Sequence, residues 1–536
     1  MRTAAMARNG LAGLIAVGAG LAAGEVTAAA VSSYASPFYA VGSFLVDRAP
    51  APVREFAIDT FGTNDKPVLL WGIAVAVVVL SIVAGIAERR TVPIGSALIV
   101  AFGAFGVLAA LHRPTSDFWY AAPSLIAAVV GILVLRGLRG FLWSGSMRGG
   151  RTRGPAGRRD PDTTEKPQSD ADGAATTKTD RDLSRRQFGI AAGVIAAVSV
   201  AGAFIGRQVS TMGDVVADRK RVRLPRPSRP AAPIPAGTEV DIEGITPFMT
   251  NNADFYRIDT ALQVPKLTTG EWQLRIHGMV DNELTLDWDD LMDMQAEERI
   301  ITLTCVSNEV GGNLAGTARW IGYPMTKILE RAGVQGDADM LFSTSVDGWT
   351  SGTPLADITD GRDSMLVIGM NGEPLPLEHG YPVRQVVPGL YGYVSACKWV
   401  VDWEITRFDK AEAYWTKRNW GVKGPIKTAS RIDRPEGLSR HPVGDVVIAG
   451  TAWAQHRGIS KVEVRVDKGP WNTATLAPEY NNDTWRQWFW TWPATAGQHT
   501  VYCRATDETG QVQPEERVAP IPDGATGWHN RVFRIE

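Results

Sequence analysis

The stretch ITLTCVSNEVGGNLAGTARW, residues 301–320, joins a strand pattern to a glycine-rich loop. Its first residues alternate between apolar and polar in the manner of a β-strand. Ser307, Asn308 and the pair Gly311-Gly312 then indicate a loop. Cys305 stands at the point where the strand ends. The pattern alone favours a small buried side chain at this position, and a ligating thiol is the alternative.

Length, charge and cysteine content limit the classes to which the chain can belong. With 536 residues it should hold several domains. Its formal net charge of -2 gives no reason to expect a nucleic-acid partner. Its three cysteines include no CxxC pair, so neither a disulfide framework nor a zinc site of that type is predicted. Cys397 and Cys503 are expected to be buried packing residues.

The N-terminal part of the chain contains four long apolar runs, each close to the ~20 residues needed to cross a bilayer. The runs are Leu11–Val31, Val68–Ala87, Val92–Leu111 and Trp119–Leu135. Buried core helices are a poorer explanation, because four such runs lie together with few interior charges. We therefore predict that residues 1–140 form an all-α region of four transmembrane helices.

Charges beside these runs predict their orientation in the cell membrane. Arg2 and Arg8 precede the first run, and Arg136 and Arg139 follow the fourth. The positive-inside rule then places the N-terminus and the segment after the fourth run in the cytoplasm. His112 is the only histidine of this region. A haem b held by two axial histidines within it is therefore excluded.

Residues 141–187 are predicted to be a disordered cytoplasmic linker, because they are rich in Gly, Pro, Ser, Thr and mixed charge. The linker ends in SRRQF, residues 184–188, which resembles a twin-arginine export signal. Residues 188–206 are then a fifth transmembrane helix or signal anchor, with an ordinary fifth span as the alternative. Residues 207–237 form a Pro/Arg-rich spacer. The export signal predicts that the globular half lies on the extracytoplasmic face.

The secondary-structure pattern of the globular half changes near residue 429. Residues 238–428 mix short strand and helix patterns, which indicates an α+β domain. Residues 429–536 contain only alternating strand patterns separated by turns, such as SKVEVRV and HTVYCRATD. About a hundred residues of this kind predict an immunoglobulin-like β-sandwich.

Four groups of motifs in the globular half occur in the order found in one enzyme family. They are FMTNNADFYRIDTALQVP at 248–265, LTCVSNEVGG at 303–312, MNGEPLPLEHGYPVRQVVPGLYGYVSACKWV at 370–400, and WRQW with RATDETGQVQP and PDGATGWH in the sandwich. With them, residues 240–536 resemble the sulfite oxidase family of molybdopterin-dependent oxidoreductases. The sandwich resembles the dimerisation domain of that family, which implies a possible homodimer.

The resemblance implies that the Cys305 thiolate binds molybdenum together with the dithiolene sulfurs of one molybdopterin. Soft thiolate ligands suit such a metal site. The resemblance also implies a set of cofactor-binding residues: Asn251, Tyr256, Arg257, His379, Arg384, Ser395 and Lys398. Arg384 and Lys398 are suited to a phosphate or to the pterin carbonyl. Gly389 and Gly392 are expected to let the cofactor approach the backbone.

The sequence departs from the family where sulfite would bind. Arginines that follow the cysteine in animal and plant sulfite oxidases are replaced here by Asn308-Glu309-Val310, and Thr250 replaces another. Fewer cations, and the added Glu309 charge, predict weaker attraction for sulfite. Trp349 stands in place of the family's active-site tyrosine. Asp347 and Trp349 are expected to line the catalytic pocket for a neutral or organic substrate, although Trp349 is equally suited to core packing.

We therefore predict a membrane-anchored molybdenum oxidoreductase that transfers an oxygen atom to or from a small substrate. Sulfite oxidation and sulfoxide reduction remain alternative reactions. A tethered binding protein with a degenerate cofactor site is the alternative outside the enzymes. No CxxCH haem motif occurs in the chain. The electron partner is then a separate carrier, either a cytochrome, a membrane quinone or a soluble protein.

Overall fold

The computed structural model describes residues 2–50, 53, 56, 60–61, 65–113, 116–147, 193 and 212–536. The chain divides into two compact units, Met1–Gly213 and Asp214–Glu536. The predicted linker from residue 148 onward, the twin-arginine motif and all but one residue of the predicted fifth span lie outside the described residues.

Helices make up the described part of the first unit. They are α1 Arg2–Val31, α2 Pro37–Arg48, α3 Asp65–Ala87, α4 Ile94–Leu111 and α5 Ala122–Met147. Among the described residues, four segments are long and apolar enough to span a membrane, namely Ala5–Val31, Val68–Ala87, Ile94–Leu111 and Phe118–Gly140. These spans agree with the four predicted runs, although the first and last are longer because their flanking residues continue the helices.

Glycines allow the spanning helices to approach closely. A Cβ on Gly13 of α1 would lie 2.1 Å from the Ser81 carbonyl oxygen of α3, and one on Gly85 would lie 2.2 Å from the Asn9 carbonyl oxygen. Neither position can therefore carry a side chain. The short helix α2 was not predicted, because twelve residues are too few for a span. It begins where Ser36 accepts a hydrogen bond from the Tyr39 amide.

The boundary between the two units lies in the first turn of a helix inside the predicted spacer. Helix α6, Met212–Arg221, has Asp214 in its first turn and three basic residues in its last, which suits the helix dipole. Asp218 accepts a hydrogen bond from the Tyr381 hydroxyl at 2.6 Å. Arg219 donates to the carbonyls of Leu375 and Pro374. These contacts fix the segment to the α+β domain that follows it, so this part of the spacer is ordered structure.

The domain predicted at residues 238–428 is α+β, as expected, and contains ten strands and four short α-helices. The strands are β1 Gln273–Gly278, β2 Leu284–Asp287, β3 Glu297–Thr304, β4 Ala315–Pro324, β5 Met340–Ser345, β6 Thr350–Pro354, β7 Met365–Met370, β8 Glu373–Pro374, β9 Arg384–Val386 and β10 Val400–Thr406. The helices are α7 Trp288–Met292, α8 Met325–Ala332, α9 Leu355–Thr359 and α10 Gly392–Ser395.

Two sheets organise this domain. One has the strand order β2-β1-β10-β5-β6, and the other has the order β3-β4-β7-β8 with β9 paired to β7. Ile301 and Leu303 of β3 pack with Trp320 of β4 in a buried cluster that also includes Phe255 and Tyr381. This cluster fixes the end of β3, from which the chain continues into Cys305.

The C-terminal residues form a β-sandwich, which confirms the predicted fold. Its strands are β11 Ala429–Arg434, β12 Arg440–His441, β13 Gly444–Trp453, β14 Ile459–Val466, β15 Asn472–Thr473, β16 Thr475–Leu476, β17 Arg486–Ala494, β18 Gly497–Asp507 and β19 His529–Ile535. The sheets have the orders β11-β13-β17-β16 and β12-β19-β18-β14-β15. Ile448, Val462, Trp488, Cys503 and Phe533 belong to the core between them.

Candidate active site

Cys305 is the first residue after β3 and begins a tightly closed loop. Its amide donates to the Leu314 carbonyl at 2.9 Å, and its carbonyl accepts from the Asn308 amide at 3.1 Å. The Asn308 side-chain oxygen accepts from the Leu314 amide at 2.9 Å. The loop from 305 to 314 is therefore closed by its own hydrogen bonds. Asn308, predicted to lie at the substrate position, instead holds the loop together.

The β-sandwich contacts the same loop from outside. Arg431 donates to the Gly312 carbonyl at 2.7 Å and forms an ion pair with Asp433 at 2.7 Å. Gly311 has a φ of +79°, and a Cβ there would lie 2.2 Å from His529. Only glycine satisfies both constraints. The sandwich therefore helps to position the segment that follows Cys305.

Cys305 lies on the wall of a cleft with about 860 Å³ of empty space, counted with its open mouth. Seven of the predicted site residues line the cleft: Tyr256, Cys305, Asp347, Trp349, His379, Arg384 and Lys398. They come from segments far apart in the sequence, so the fold brings the separate motifs into one site.

Arg384 supplies a buried positive charge to the cleft. Its side chain lies at the start of β9 and the residue is 5% exposed. The guanidinium donates to the His379 carbonyl at 3.1 Å. No carboxylate forms an ion pair with it among residues 212–536, all of which the structure describes. Burial lowers its pKa to about 10, so it remains charged at neutral pH. A buried cation of this kind requires an anionic partner.

Lys398 is the neighbour of Arg384 across an isolated β-bridge. Its ammonium donates to Asp259 at 2.9 Å and to the Glu378 carbonyl at 3.0 Å. Burial lowers the pKa of Lys398 to about 8, although Asp259 acts in the opposite direction. Asp259 also pairs with Arg257 at 2.9 Å. Arg257 therefore acts on the site through Asp259 and is not among the residues that line the cleft.

His379 presents a neutral ring. Its Nε2 lies 3.1 Å from the Asn252 carbonyl oxygen and must donate to it. Burial and the nearby Arg384 charge lower its pKa to about 4. Burial also raises the pKa values of the Tyr256 hydroxyl and the Cys305 thiol. The Cys305 thiolate therefore needs a metal or another cation to be stable in this environment.

Two further predicted residues lie outside the cleft lining. Asn251 is exposed, whereas its neighbour Asn252 contacts Asn371 at 2.8 Å and Glu373 at 2.6 Å. Ser395 is fully buried, and its hydroxyl lies 3.1 and 3.0 Å from the carbonyls of Leu390 and Tyr391, to which it donates. Ser395 thus stabilises helix α10, which borders the cleft through Gly392.

Three other positions named from the sequence, Glu309, Thr250 and Gly389, do not line the main cleft. Glu309 lines a separate small pocket that also includes Tyr391, so its charge lies outside the lining of the main cleft. Thr250 exchanges hydrogen bonds with Thr317 and contributes nothing to that lining. Gly389 has a φ of +79°, and a Cβ there would lie 2.9 Å from His456. Close packing against the β-sandwich therefore explains why residue 389 is glycine.

Asp347 and Trp349 belong to the turn between β5 and β6 and both line the cleft. The Asp347 carboxylate accepts a hydrogen bond from the Trp349 amide at 3.2 Å. The Ser345 amide donates to the Trp349 carbonyl at 2.8 Å, which closes the turn. Trp349 therefore contributes to the cleft wall, and core packing alone does not explain its position.

Sequence reasoning missed several residues of the site. Asp259 was missed, although a buried lysine requires an acidic partner and an acid follows the predicted Tyr256-Arg257 pair. Trp415, Trp420 and Tyr393 also line the cleft. The ring centroids of Trp415 and Trp420 are 6.1 Å apart, and those of Tyr393 and Trp420 are 6.0 Å apart. The tryptophan-rich segment around residue 415 was the available signal.

The residues of the cleft fit an anionic, metal-containing cofactor. The structure places one cysteine, two buried cations and a neutral histidine around one space. The described residues contain no group of three or more His, Cys, Asp or Glu side chains able to hold a metal. A metal bound by one protein thiolate, with its other ligands supplied by a cofactor, agrees with this arrangement.

Comparison with known proteins assigns both parts of the globular half. Residues 261–415 match the model of the oxidoreductase molybdopterin binding domain. Residues 427–535 match the model of the Mo-co oxidoreductase dimerisation domain.

Individual proteins are similar to parts of the chain. Human mitochondrial sulfite oxidase is 31% identical over 332 residues, covering 51% of this chain and 58% of that protein. The uncharacterized oxidoreductase YuiH of Bacillus subtilis is 31% identical over 158 residues, covering 29% of this chain and 74% of that protein. The solved structure of the sulfane dehydrogenase SoxCD from Paracoccus pantotrophus is 23% identical, with a TM-score of 0.48, and covers 55% of this chain and 84% of that chain. The chain thus spans less than two thirds of the human enzyme.

Proposed function

Because the chain belongs to the sulfite oxidase family of molybdopterin oxidoreductases, we propose that it transfers an oxygen atom between water and a small organic substrate. The arrangement of Cys305, Arg384 and Lys398 around one cleft carries this proposal. Buried cations destabilise a site that holds no cofactor. Two such cations beside a buried thiol therefore argue against a non-catalytic tethered protein with a degenerate site.

The residues of this chain hold and orient the cofactor. Arg384 and Lys398 offer charged donors to its anionic groups, and Tyr256 offers a hydroxyl on the same wall. Cys305 provides the thiolate ligand to molybdenum. When bound, the molybdenum-molybdopterin group supplies two-electron oxygen-atom chemistry that amino acid side chains lack.

The overall reaction balances in either direction. In oxidation, the substrate and one water give the oxygenated substrate, two protons and two electrons. The electrons leave to a separate carrier, either a cytochrome, a membrane quinone or a soluble protein. In reduction, the carrier supplies the two electrons, two protons are taken up from water, and the oxygen leaves as water.

Charge at the cleft argues against sulfite as the substrate. Lys398 is paired with Asp259, and we assign Arg384 to the cofactor. The carboxylate of Asp347 also lines the cleft and would repel a dianion. Trp349, Trp415 and Trp420 add apolar surface suited to an organic group. Sulfoxide reduction is the second candidate, because the same surface suits a thioether. Sulfite oxidation is the third.

The four spanning segments support membrane anchoring. The arginine distribution and the twin-arginine motif support a cell-membrane location with the catalytic half on the extracytoplasmic face. The match to a dimerisation domain suggests a homodimer that forms through the sandwich.

A substrate panel tests the proposed reaction. Full-length protein, expressed with molybdenum and purified in detergent, would be assayed with sulfite, thioethers, sulfoxides and N-oxides and an artificial electron dye. We expect turnover with an organic sulfur or nitrogen compound and weak turnover with sulfite. Robust sulfite oxidation would overturn the substrate assignment. Absence of bound molybdenum, with cofactor supplied during expression, would overturn the enzyme assignment.

A further inference from the structure

Asp347 is a buried carboxylate that faces the cleft without a cationic partner. The residue is 8% exposed, and its carboxylate accepts from the Trp349 amide at 3.2 Å. Within residues 212–536, which the structure describes throughout, no Lys, Arg or His side chain forms an ion pair with it. A buried carboxylate left in this state is costly unless a positive group joins it.

The two cations that line the cleft are engaged elsewhere. The Lys398 ammonium is held by Asp259 and by the Glu378 carbonyl. The Arg384 guanidinium donates to the His379 carbonyl and lies 5.3 Å from the centroid of the Trp320 ring. Neither contact includes Asp347. The negative charge of Asp347 is therefore left for a molecule that enters the cleft.

Aromatic rings line the same cleft as Asp347, among them those of Trp349, Trp415 and Trp420. Trp349 is two residues from Asp347, and Thr350 accepts a hydrogen bond from the Tyr414 amide through its hydroxyl at 2.9 Å. This bond brings the segment of Trp415 against the turn of Asp347. Trp415 in turn contacts Trp420, and Trp420 contacts Tyr393. Tryptophan faces are the strongest cation–π partners among side chains.

We propose that Asp347, Trp349, Trp415 and Trp420 form a subsite for an organic cation carried by the substrate, such as a substituted ammonium group. The proposal rests on the proposed function, because the cation must belong to the molecule that reacts at the cofactor. It narrows the substrate from organic compounds in general to those with a positive group near the reacting atom. Asp347 supplies the charge, and the three tryptophans replace the water that the cation loses.

Other roles for these four residues predict different binding behaviour. A site for an uncharged sulfoxide would use the aromatic walls and leave the Asp347 charge unpaired. A site for sulfite would be opposed by that charge. A purely structural Asp347 would cap its turn equally well as asparagine, because the Trp349 amide needs only an acceptor oxygen.

Direct binding of a matched probe pair tests the subsite without turnover. The probes are choline and its uncharged isostere 3,3-dimethylbutan-1-ol. Their binding to full-length, molybdenum-containing protein in detergent would be measured by calorimetry. We expect choline to bind about tenfold more tightly than the isostere. Equal binding of the two probes, or preference for the isostere, would overturn the proposal.

Variants separate the subsite from the rest of the cleft. Asp347→Asn keeps the acceptor for Trp349 and should remove most of the choline preference while leaving molybdenum content unchanged. Trp420→Leu should weaken choline more than the isostere. Glu309→Gln removes a carboxylate close to Cys305 in sequence but outside the cleft lining, so it should leave the preference intact. A preference that survives Asp347→Asn would contradict the role of Asp347.

The outcome also distinguishes the two proposals. Bound molybdenum without any choline preference would sink the cation subsite and leave the oxygen-transfer proposal standing. Absence of molybdenum under cofactor-replete expression would sink the oxygen-transfer proposal and the subsite with it. Turnover would then be compared for pairs of substrates in which one member carries a trimethylammonium group and the other a tert-butyl group.

Discussion

The Lys398 ammonium lies 2.9 Å from the Asp259 carboxylate on the wall of the cleft, while the adjoining Arg384 has no carboxylate partner among the described residues of its unit. The two cations are therefore not equivalent. The charge of Lys398 is already balanced by Asp259, whereas Arg384 has no such partner, and we propose that its charge serves the cofactor. This difference gives separate expectations for the two positions.

Replacing Arg384 with methionine should lower cofactor content without weakening the fold. A guanidinium that is buried with no acid beside it destabilises the cofactor-free protein, so an apolar side chain of similar length relieves that cost. Loss of a charged hydrogen-bonding group to the cofactor should reduce bound molybdenum about tenfold or more. Elemental analysis and thermal unfolding of cofactor-free protein measure the two effects.

Arg257→Met is the matched control for Arg384→Met. Arg257 is half-exposed and reaches the site only through Asp259, so its loss should change molybdenum content little. If Arg257→Met and Arg384→Met lose the same amount of metal, the distinction between the two arginines is wrong.

Replacing Asp259 with asparagine should make cofactor retention sensitive to pH. Burial already lowers the pKa of Lys398 to about 8, and removal of the Asp259 charge lowers it further. Lys398 would then lose its proton at a lower pH than in the unaltered protein, and its attraction for an anion would be lost there. Molybdenum retained after dialysis across pH 6 to 9 measures this shift. Identical pH profiles for the two proteins would contradict it.

The free energy of unfolding should decrease as the pH falls from 6.5 to 4. Burial and Arg384 hold the pKa of His379 at about 4, below its usual 6.5. In this window the unfolded chain binds a proton that the folded protein excludes, so acid favours unfolding. Buried His529, whose pKa is lowered to about 3, acts in the same direction.

His379→Gln isolates the contribution of one ring. The variant should remove up to about 1.4 kcal/mol per pH unit from the acid-dependent loss of stability. Glutamine can still donate to the Asn252 carbonyl. The change in slope therefore reflects mainly the lost titration of the His379 ring. Denaturant unfolding at several pH values provides the slope. An unchanged slope would show that folding does not lower the pKa of His379.

Gly311→Ala should disturb the loop after Cys305. Alanine at a φ of +79° costs about 1 kcal/mol or more in strain, and its Cβ would also meet His529 at 2.2 Å. We expect lower stability and lower molybdenum content. Gly372→Ala is the control, because Gly372 has a φ of +83° but no neighbouring atom within 4 Å. Equal effects of the two changes would show that strain alone is responsible.

Site residues that belong to recognisable motifs could be predicted from the sequence. Cys305, His379, Arg384 and Lys398 were all expected at the site, and the cleft brings them together. The sandwich and the four spans were also predictable, since each depends on a local periodicity. Such features depend on residues that are neighbours in the sequence, so they can be predicted without knowledge of the tertiary contacts.

Residues whose role depends on distant contacts could not be predicted in the same way. Ser395 belongs to a motif, yet its hydroxyl stabilises its own helix. Asp259 becomes part of the site only because Lys398, far along the chain, reaches it. Trp415 and Trp420 join the cleft through the contact between Tyr414 and Thr350. No local pattern specifies these pairings.

The central claim is that Cys305 binds the metal, and the molybdenum content of cysteine variants tests it most directly. Cys305→Ser, Cys397→Ser and Cys503→Ser would be purified under the same cofactor-replete conditions as the unaltered protein. All three cysteines are buried, so the variants share a similar packing change. We predict that only Cys305→Ser loses bound molybdenum and turnover while remaining folded. A folded Cys305→Ser protein with undiminished molybdenum and activity would contradict the account.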